Sequence, residues 1–304
     1  MANTRAIKNK IAEEWAITRS GGGPVGSTWF VDSTNGSNNH DGKDPDHAFA
    51  TLAKAITALT GDDDTIVVLP GHAETVATLI TVDHGVRILG FGVGQNRPTF
   101  THDGSTAIDI MSITADDVYV ENLRFVGAAS CTALLNIAES DVHINKCSFE
   151  SGAAPVDVVT VASGHRGIIE NCLFLGTAAG ADNAIMFEAG SGSCSNWRIS
   201  DCIFNYLQYD IDENIIDIPA DAHPGLLIER CQMLGIAVAA LTIKSSVANQ
   251  FGAMIDCHLV AHAAITTIEK IVGTTIEGMF FSGCLGTDVT KTTAGVRVPS
   301  TTPA

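Results

Sequence analysis

The 304-residue sequence predicts an all-β fold, a single-stranded right-handed parallel β-helix of about eight rungs with a short N-terminal capping helix and extended terminal arms. Three observations carry that expectation. A cysteine-bearing strand motif recurs every 25 to 30 residues, a second short apolar strand precedes each copy, and helical periodicity is missing throughout the repeated region.

The motif is a β-branched or apolar alternation running into a polar residue, then Cys, one further residue and an apolar one. Its copies are Val142 to Phe149, Ile168 to Phe174, Trp197 to Phe204, Leu227 to Met233, Met254 to Leu259 and a degraded Phe280 to Leu285. The cysteines fall at 147, 172, 202, 231, 257 and 284. Val118 to Phe125 is an earlier member with Leu123 in the Cys position, and Val86 to Phe91 is a looser first copy. The companion strands are Ala107–Ile110, Leu134–Ile137, Val158–Val161, Ala184–Phe187, Ile215–Ile218, Leu241–Ile243 and Thr267–Ile271. A unit this short cannot bury its own apolar face, whereas stacking at roughly 4.8 Å closes a continuous core. Leucine-rich repeats have a similar period, but their signature and helical return are absent.

Each recurrent cysteine is read as a small apolar side chain at one inward-facing bend, so Cys147, Cys172, Cys202, Cys231, Cys257 and Cys284 form an internal structural ladder. Metal binding requires converging ligands, usually with C-x₂₋₄-C spacing, and no such pair occurs. Eight cysteines without a secretory leader are expected as reduced thiols, and Cys131 and Cys194 stand outside the ladder. Aromatics make up only 6% of the chain, which predicts a core of Val, Ile, Leu, Ala and Cys rather than large rings.

The formal charge is −17 and basic residues never cluster beyond pairs, which argues against a nucleic-acid partner. No stretch reaches membrane-spanning length, so no membrane is expected and the product reads as soluble and made in the cytoplasm. The chain divides into an arm and linker (1–26), a leading strand and capping helix (27–63), the β-helix (64–286) and a tail (287–304). In the arm, Ile7, Ile11, Trp15 and Ile17 mark a short helix suited to attachment. Ser20 to Gly26 is flexible by composition. A helix from about Asp46 to Leu59, with Leu52, Ile56 and Leu59 on one side, would cover the first rung and block edge pairing.

From Ser27 to Ala73 the sequence resembles the lead-in of pectate-lyase-like β-helix proteins. The matching residues are Trp29-Phe-Val-Asp32, Gly36-Ser37, Asp41-Gly42, Ala48-Phe49-Ala-Thr51-Leu, Ala55-Ile56 and Gly61 through Gly71. That family occurs widely among phage structural proteins and polysaccharide-active enzymes, so the resemblance implies a fold and leaves both roles open.

β-Helix enzymes cut polysaccharides with carboxylates projecting from stacked rungs. The turn before the Cys-bearing strand offers Asp83-His84, Asp116-Asp117, Asp141, His165-Arg166, Asn196 and His223. If the chain is an enzyme, Asp116, Asp117, Asp141 and His165 are its catalytic group. Ala115-Asp-Asp117 with Gly164-His165 faintly resembles the double-Asp and Gly-His pattern of polygalacturonases. However, no Asn-Thr-Asp precedes it, no Arg-Ile-Lys follows, and the two elements sit two rungs apart. The competing explanation is that Asp is a favoured residue of solvated turns. Asp32, Asn38, Asp41, Asp44 and Asp46 could form a calcium loop, but their spacing misses the known pattern and backbone-bonded turns explain them equally well. Of the few aromatics, Tyr119, Tyr206 and Tyr209 are left to line any groove, a poor sugar face.

The sequence-based expectation is a non-enzymatic virion protein of a tailed phage. The form favoured is a homotrimeric capsid decoration protein bound to the major capsid protein, without metal or cofactor. The alternatives are a tail-borne polysaccharide depolymerase or lyase and a glycan-binding adhesin.

Overall fold

The computed structural model describes residues 26–152, 157–177, 182–188, 194–206, 214–218, 224–236, 241–245, 252–261 and 279–287. The arm residues Ile7, Ile11, Trp15 and Ile17 and the tail beyond Thr287 lie outside them, as do His223, Tyr209 and the Thr267–Ile271 companion strand. No described helix is long and apolar enough to cross a membrane.

The chain winds as a parallel β-helix, visiting three sheets in a fixed order. Among the described residues, sheet 1 has ten strands from Thr28–Val31 to Met279–Ser282, and sheet 2 has nine from Ala73–Val76 to Leu285–Thr287. Sheet 3 has seven, from Ile80–Val82 to Leu241–Ser245. Seven rungs therefore carry a strand on every sheet, close to the expected eight. The additional early rung is built by Asp64–Val68, Ala73–Val76 and Ile80–Val82, which the cysteine alignment could not detect. Another correction concerns the companion strand placed at Ala107–Ile110. The sheet 3 strand is Met111–Ile113, which pairs Met111 with Leu135 and Ile113 with Ile137.

Each Cys-bearing motif is two strands rather than one. His143–Asn145 lies in sheet 1 and Ser148–Glu150 in sheet 2, with Lys146 and Cys147 forming the corner between them. The residue before the corner is left-handed in every copy: Asn122, Lys146, Asn171, Asp201, Arg230 and Asp256 have φ between 51° and 58°, and Gly283 has 65°. That conformation turns the strand, and Asn, Asp and Gly tolerate it best. The next side chain then points inward. All six ladder cysteines are buried and unbridged. Their Sγ–H groups lie near carbonyls, as in Cys172 to Glu170 O at 3.2 Å and Ile144 O at 3.7 Å, and Cys202 to Ser200 O at 3.2 Å. A small side chain that can also donate weakly fits such a carbonyl-lined corner.

The core is not free of large rings, contrary to the composition-based expectation. Phe100, Phe125, Phe149, Phe174 and Phe204 occupy the central inward position of successive sheet 2 strands, fully buried. Their centroids are 5.9, 5.3, 5.0 and 4.6 Å apart, in near-parallel stacks. One ring per rung is enough, because register places every copy over the last. Opposite them stand Val120, Ile144, Ile169, Ile199 and Ile228 of sheet 1 and paired aliphatics of sheet 3 such as Val159 and Val161. Trp197 is also buried, its Nε1–H donating to Gly164 O at 2.9 Å. Its ring lies against Gly167, where a Cβ would sit 2.2 Å from the indole.

The predicted capping helix is shorter than the Asp46–Leu59 span. A 3₁₀ turn, Pro45–His47, is capped by Asp44, and a separate six-residue helix, α1, covers Leu52–Thr57 with Thr51 as its N-cap. Between them Phe49 is extended: its N–H donates to Phe30 O, its carbonyl accepts from Asp32 N–H, and its ring stacks on Trp29 at 6.0 Å. Burying that ring requires the extended chain, which divides the helix. Leu52, Ala55 and Ile56 of α1 close the core at the first rung.

Phe149→Ala should cost ~3–5 kcal/mol in urea unfolding, the range for truncating a fully buried ring. At the corner, Asn171→Gly should cost little, whereas Asn171→Val should destabilise by ~1–2 kcal/mol, because a β-branched residue resists positive φ. Equal effects of the two substitutions would contradict a left-handed corner.

Candidate functional site

The turn column picked out in the sequence does assemble. Asp117, Asp141, Arg166 and Asn196 are all left-handed, at φ 58°, 58°, 61° and 57°, on the side of sheet 1 opposite the cysteine corner. Their N–H groups donate to the next rung, Asp141 to His165 O at 2.9 Å and Arg166 to Ser195 O at 2.9 Å. Asp116, Asp117, Asp141 and His165 thus occupy three consecutive rungs of one corner. Three of these side chains already have structural work. Asp116 Oδ1 accepts from Ser140 N–H at 2.8 Å, Asp141 takes a two-pronged hydrogen bond from Arg166, and His165 Nδ1 is 2.8 Å from Ser195 Oγ. The Arg166 guanidinium holds Asp141 below the usual carboxylate range, the opposite of what a proton donor needs.

Alternation along sheet 1 places a second polar array on its outer face, which sequence reasoning did not isolate. Tyr119 OH donates to Glu121 Oε2 at 2.8 Å and accepts from Asn145 Nδ2 at 3.0 Å. Lys146 Nζ bonds Glu121 at 2.6 Å, and His143 Nε2 lies 3.0 Å from Glu170 Oε1 with its ring edge-on to Tyr119. Further along, Arg230 bridges Asp201 and Glu229, and Glu229 also pairs with Arg198. On sheet 2, Arg124 and Glu150 pair at 2.7 Å across one rung. Burial raises the Glu121 pKa, but the Lys146 and Tyr119 hydrogen bonds outweigh it and the net shift is downward. The signal was present in the sequence: these are the polar positions between the inward apolar ones. What pairs with what depends on register.

Sheet 3 carries a carboxylate whose pKa is raised. Asp157 is pushed up to about 6, first by burial and then by Asp182, Asp217 and Glu188, although Asn183 Nδ2 donates to it at 2.7 Å. Asn214 continues that column by donating to Asn183 Oδ1 at 2.9 Å.

Among the described residues no three His, Cys, Asp or Glu side chains converge to hold a metal. In the Asp32–Asp46 loop the side chains bond nearby backbone. Asp32 accepts from Thr34 and Asn35, Asp41 from Lys43, Asp44 from Asp46 and His47, and Asn38 from Ala50 and Thr51. Tyr206, expected at a groove, is instead 1% exposed within the core, while Trp29 and Trp197 are buried too. Tyr119 is half-buried on the outer face of sheet 1.

No family model matches the sequence, and no curated protein does. Solved structures do match in shape. A rhamnogalacturonan lyase superposes with a TM-score of 0.59 at 15% identity over 88% of this chain and 75% of that one. The pectate lyase Pel9A gives 0.64 at 10% identity over 91% and 74%. The pectin methylesterase from Aspergillus niger gives 0.56 at 14% identity over 93% and 92%. The chain is therefore a β-helix of the pectate-lyase-like shape, and at these identities the likeness extends to the fold alone.

Two measurements follow. Asp157 has a higher pKa folded than unfolded, so its contribution to stability is full below about pH 4 and lost as pH rises through about 6. Asp157→Asn should raise the melting temperature at pH 7.5 and leave it nearly unchanged at pH 4; a loss of stability at pH 7.5 would refute this. All eight thiols are buried, and burial pushes Cys131 up to about 12. A thiol reagent at pH 8 should therefore titrate none in the folded chain and eight in denaturant.

Proposed function

We propose that this chain is a non-enzymatic structural protein of a tailed-phage particle, a capsid decoration protein that binds the major capsid protein as a homotrimer. The observation that supports a non-catalytic role is the engagement of the outward carboxylates. Glu121, Asp141, Glu150, Glu170, Asp201 and Glu229 each lie within hydrogen-bonding distance of a basic or histidine side chain on their own or an adjacent rung. Cross-rung pairs of this kind stiffen a stack, and a carboxylate held by a base is poorly placed to serve as a free acid or base toward a substrate. The virion assignment draws on the lead-in segment, which resembles a family common among phage structural proteins. A net charge of −17 is compatible with the outer surface of a shell, away from packaged DNA.

A second reading, a tail-borne protein that acts on or binds glycans, is favoured by one observation: the raised Asp157 pKa, on a scaffold shared in shape with a rhamnogalacturonan lyase and a pectate lyase.

Incubation with polygalacturonate, rhamnogalacturonan and host capsule should give no new reducing ends and no unsaturated product. Chain shortening that is abolished by Asp116→Asn with Asp117→Asn, or by Asp157→Asn, would establish the second reading instead. Removing residues 1–26 should leave a folded body that no longer binds particles lacking the protein. Retained binding would defeat attachment through the arm.

A further inference from the structure

Outward positions of a β-helix strand meet solvent unless another surface covers them, so their chemistry shows what each face is built to meet. On sheet 1 those positions carry Arg87, Tyr119, Glu121, His143, Glu170, Arg198 and Glu229, and the apolar Leu89, Ile168 and Leu227 stand singly among these charged and polar neighbours. Sheet 2 behaves differently from Leu173 onward. Its inward column is Phe174, Phe204, Met233 and Leu259, and the outward residues flanking it include Leu173, Leu175, Ile203, Leu234, Val260 and Leu285. Ile203 and Leu285 are 38% and 40% exposed, among the few large apolar side chains in that state. The other outward residues described on these strands are Asn205, Gln232 and His258, with no Asp, Glu, Lys or Arg among them.

We infer that the outer face of sheet 2, from Leu173 to Leu285, is a self-association surface that takes a second copy of this chain. Two features point to a copy rather than to another partner. The apolar residues repeat at the strand spacing across five rungs, roughly 4.8 Å apart, and a surface that matches such a periodic ridge is another stack of the same pitch. The molecule as a whole also carries −17, so copies repel each other except through a face without charge. This face carries no Asp, Glu, Lys or Arg over its described strands, and apolar cores depleted of charge characterise homo-oligomer interfaces. The inference rests on the homo-oligomer proposed above and gives it a surface, whereas the particle-binding part of that reading is tested separately by removal of residues 1–26.

The test is the mass of the full chain by light scattering, for wild type and Ile203→Asp. The wild type should elute as a multiple of the 31.8 kDa monomer. The variant, with an exposed side chain changed, should fall to the monomer mass with an unchanged far-ultraviolet circular dichroism spectrum. A monomeric wild type overturns the inference, and so does a folded variant that keeps its oligomeric mass, because contacts elsewhere would then hold the copies. In case the variant misfolds, Gln232→Cys offers an independent measurement. It places an exposed thiol on the face while the native cysteines stay buried. A short bismaleimide should join its copies covalently, and no cross-link would reject the surface.

Discussion

In a parallel β-helix the strand N–H and C=O groups of each rung point along the stack, and only the neighbouring rungs can satisfy them. That obligation sets everything else. Once one rung is laid in register on the last, side chains at equivalent positions stand directly above one another, and each becomes a column. The Phe100 to Phe204 stack, the Cys147 to Cys284 ladder and the Arg166–Asp141 corner are three results of the same pairing. A residue in such a protein is chosen less for what it does alone than for what it does beside its own copies. Cys suits an inward corner lined by carbonyls, and Asn, Asp or Gly suits the left-handed position before it.

The same constraint governs charge. Like carboxylates stacked at about 4.8 Å would repel each other strongly, so a column of acids is stable only when bases or amides alternate with it. The outer face of sheet 1 follows that rule, with Glu121 against Lys146 and Glu170 against His143. Exposed pairs of this kind contribute little each, on the order of 0–1 kcal/mol, so their value is in keeping register and solubility rather than in stability. Asp157 departs from the rule. It sits near Asp182, Asp217 and Glu188 with an amide as its hydrogen-bond donor, and its proton is retained to higher pH as a result.

The cysteine spacing, the alternating apolar residues and the acidic glycine-rich lead-in were enough to identify the architecture. Those signals are local and repeat many times, so a single misread copy changes little. The first complete rung, Asp64 to Val82, fell inside the β-helix span drawn from residue 64 but was not counted as a copy because it lacks the corner motif, and the capping helix was drawn too long because its periodicity continued through Phe49, whose burial requires extended chain. Aromatic content gave the wrong core, since a percentage does not show that five Phe share one column.

By itself the sequence determined the coil, the inward cysteines and the turn positions, because each is written in a period of two residues or one rung. Tertiary structure alone decided which residues from different rungs meet. Asp141 finds Arg166 across 25 residues and Glu121 finds Lys146 across the same interval, while Tyr206 turns into the core instead of toward a groove. The physical reason is register: loop lengths vary from rung to rung, so the distance along the chain does not fix which side chain comes to stand over which.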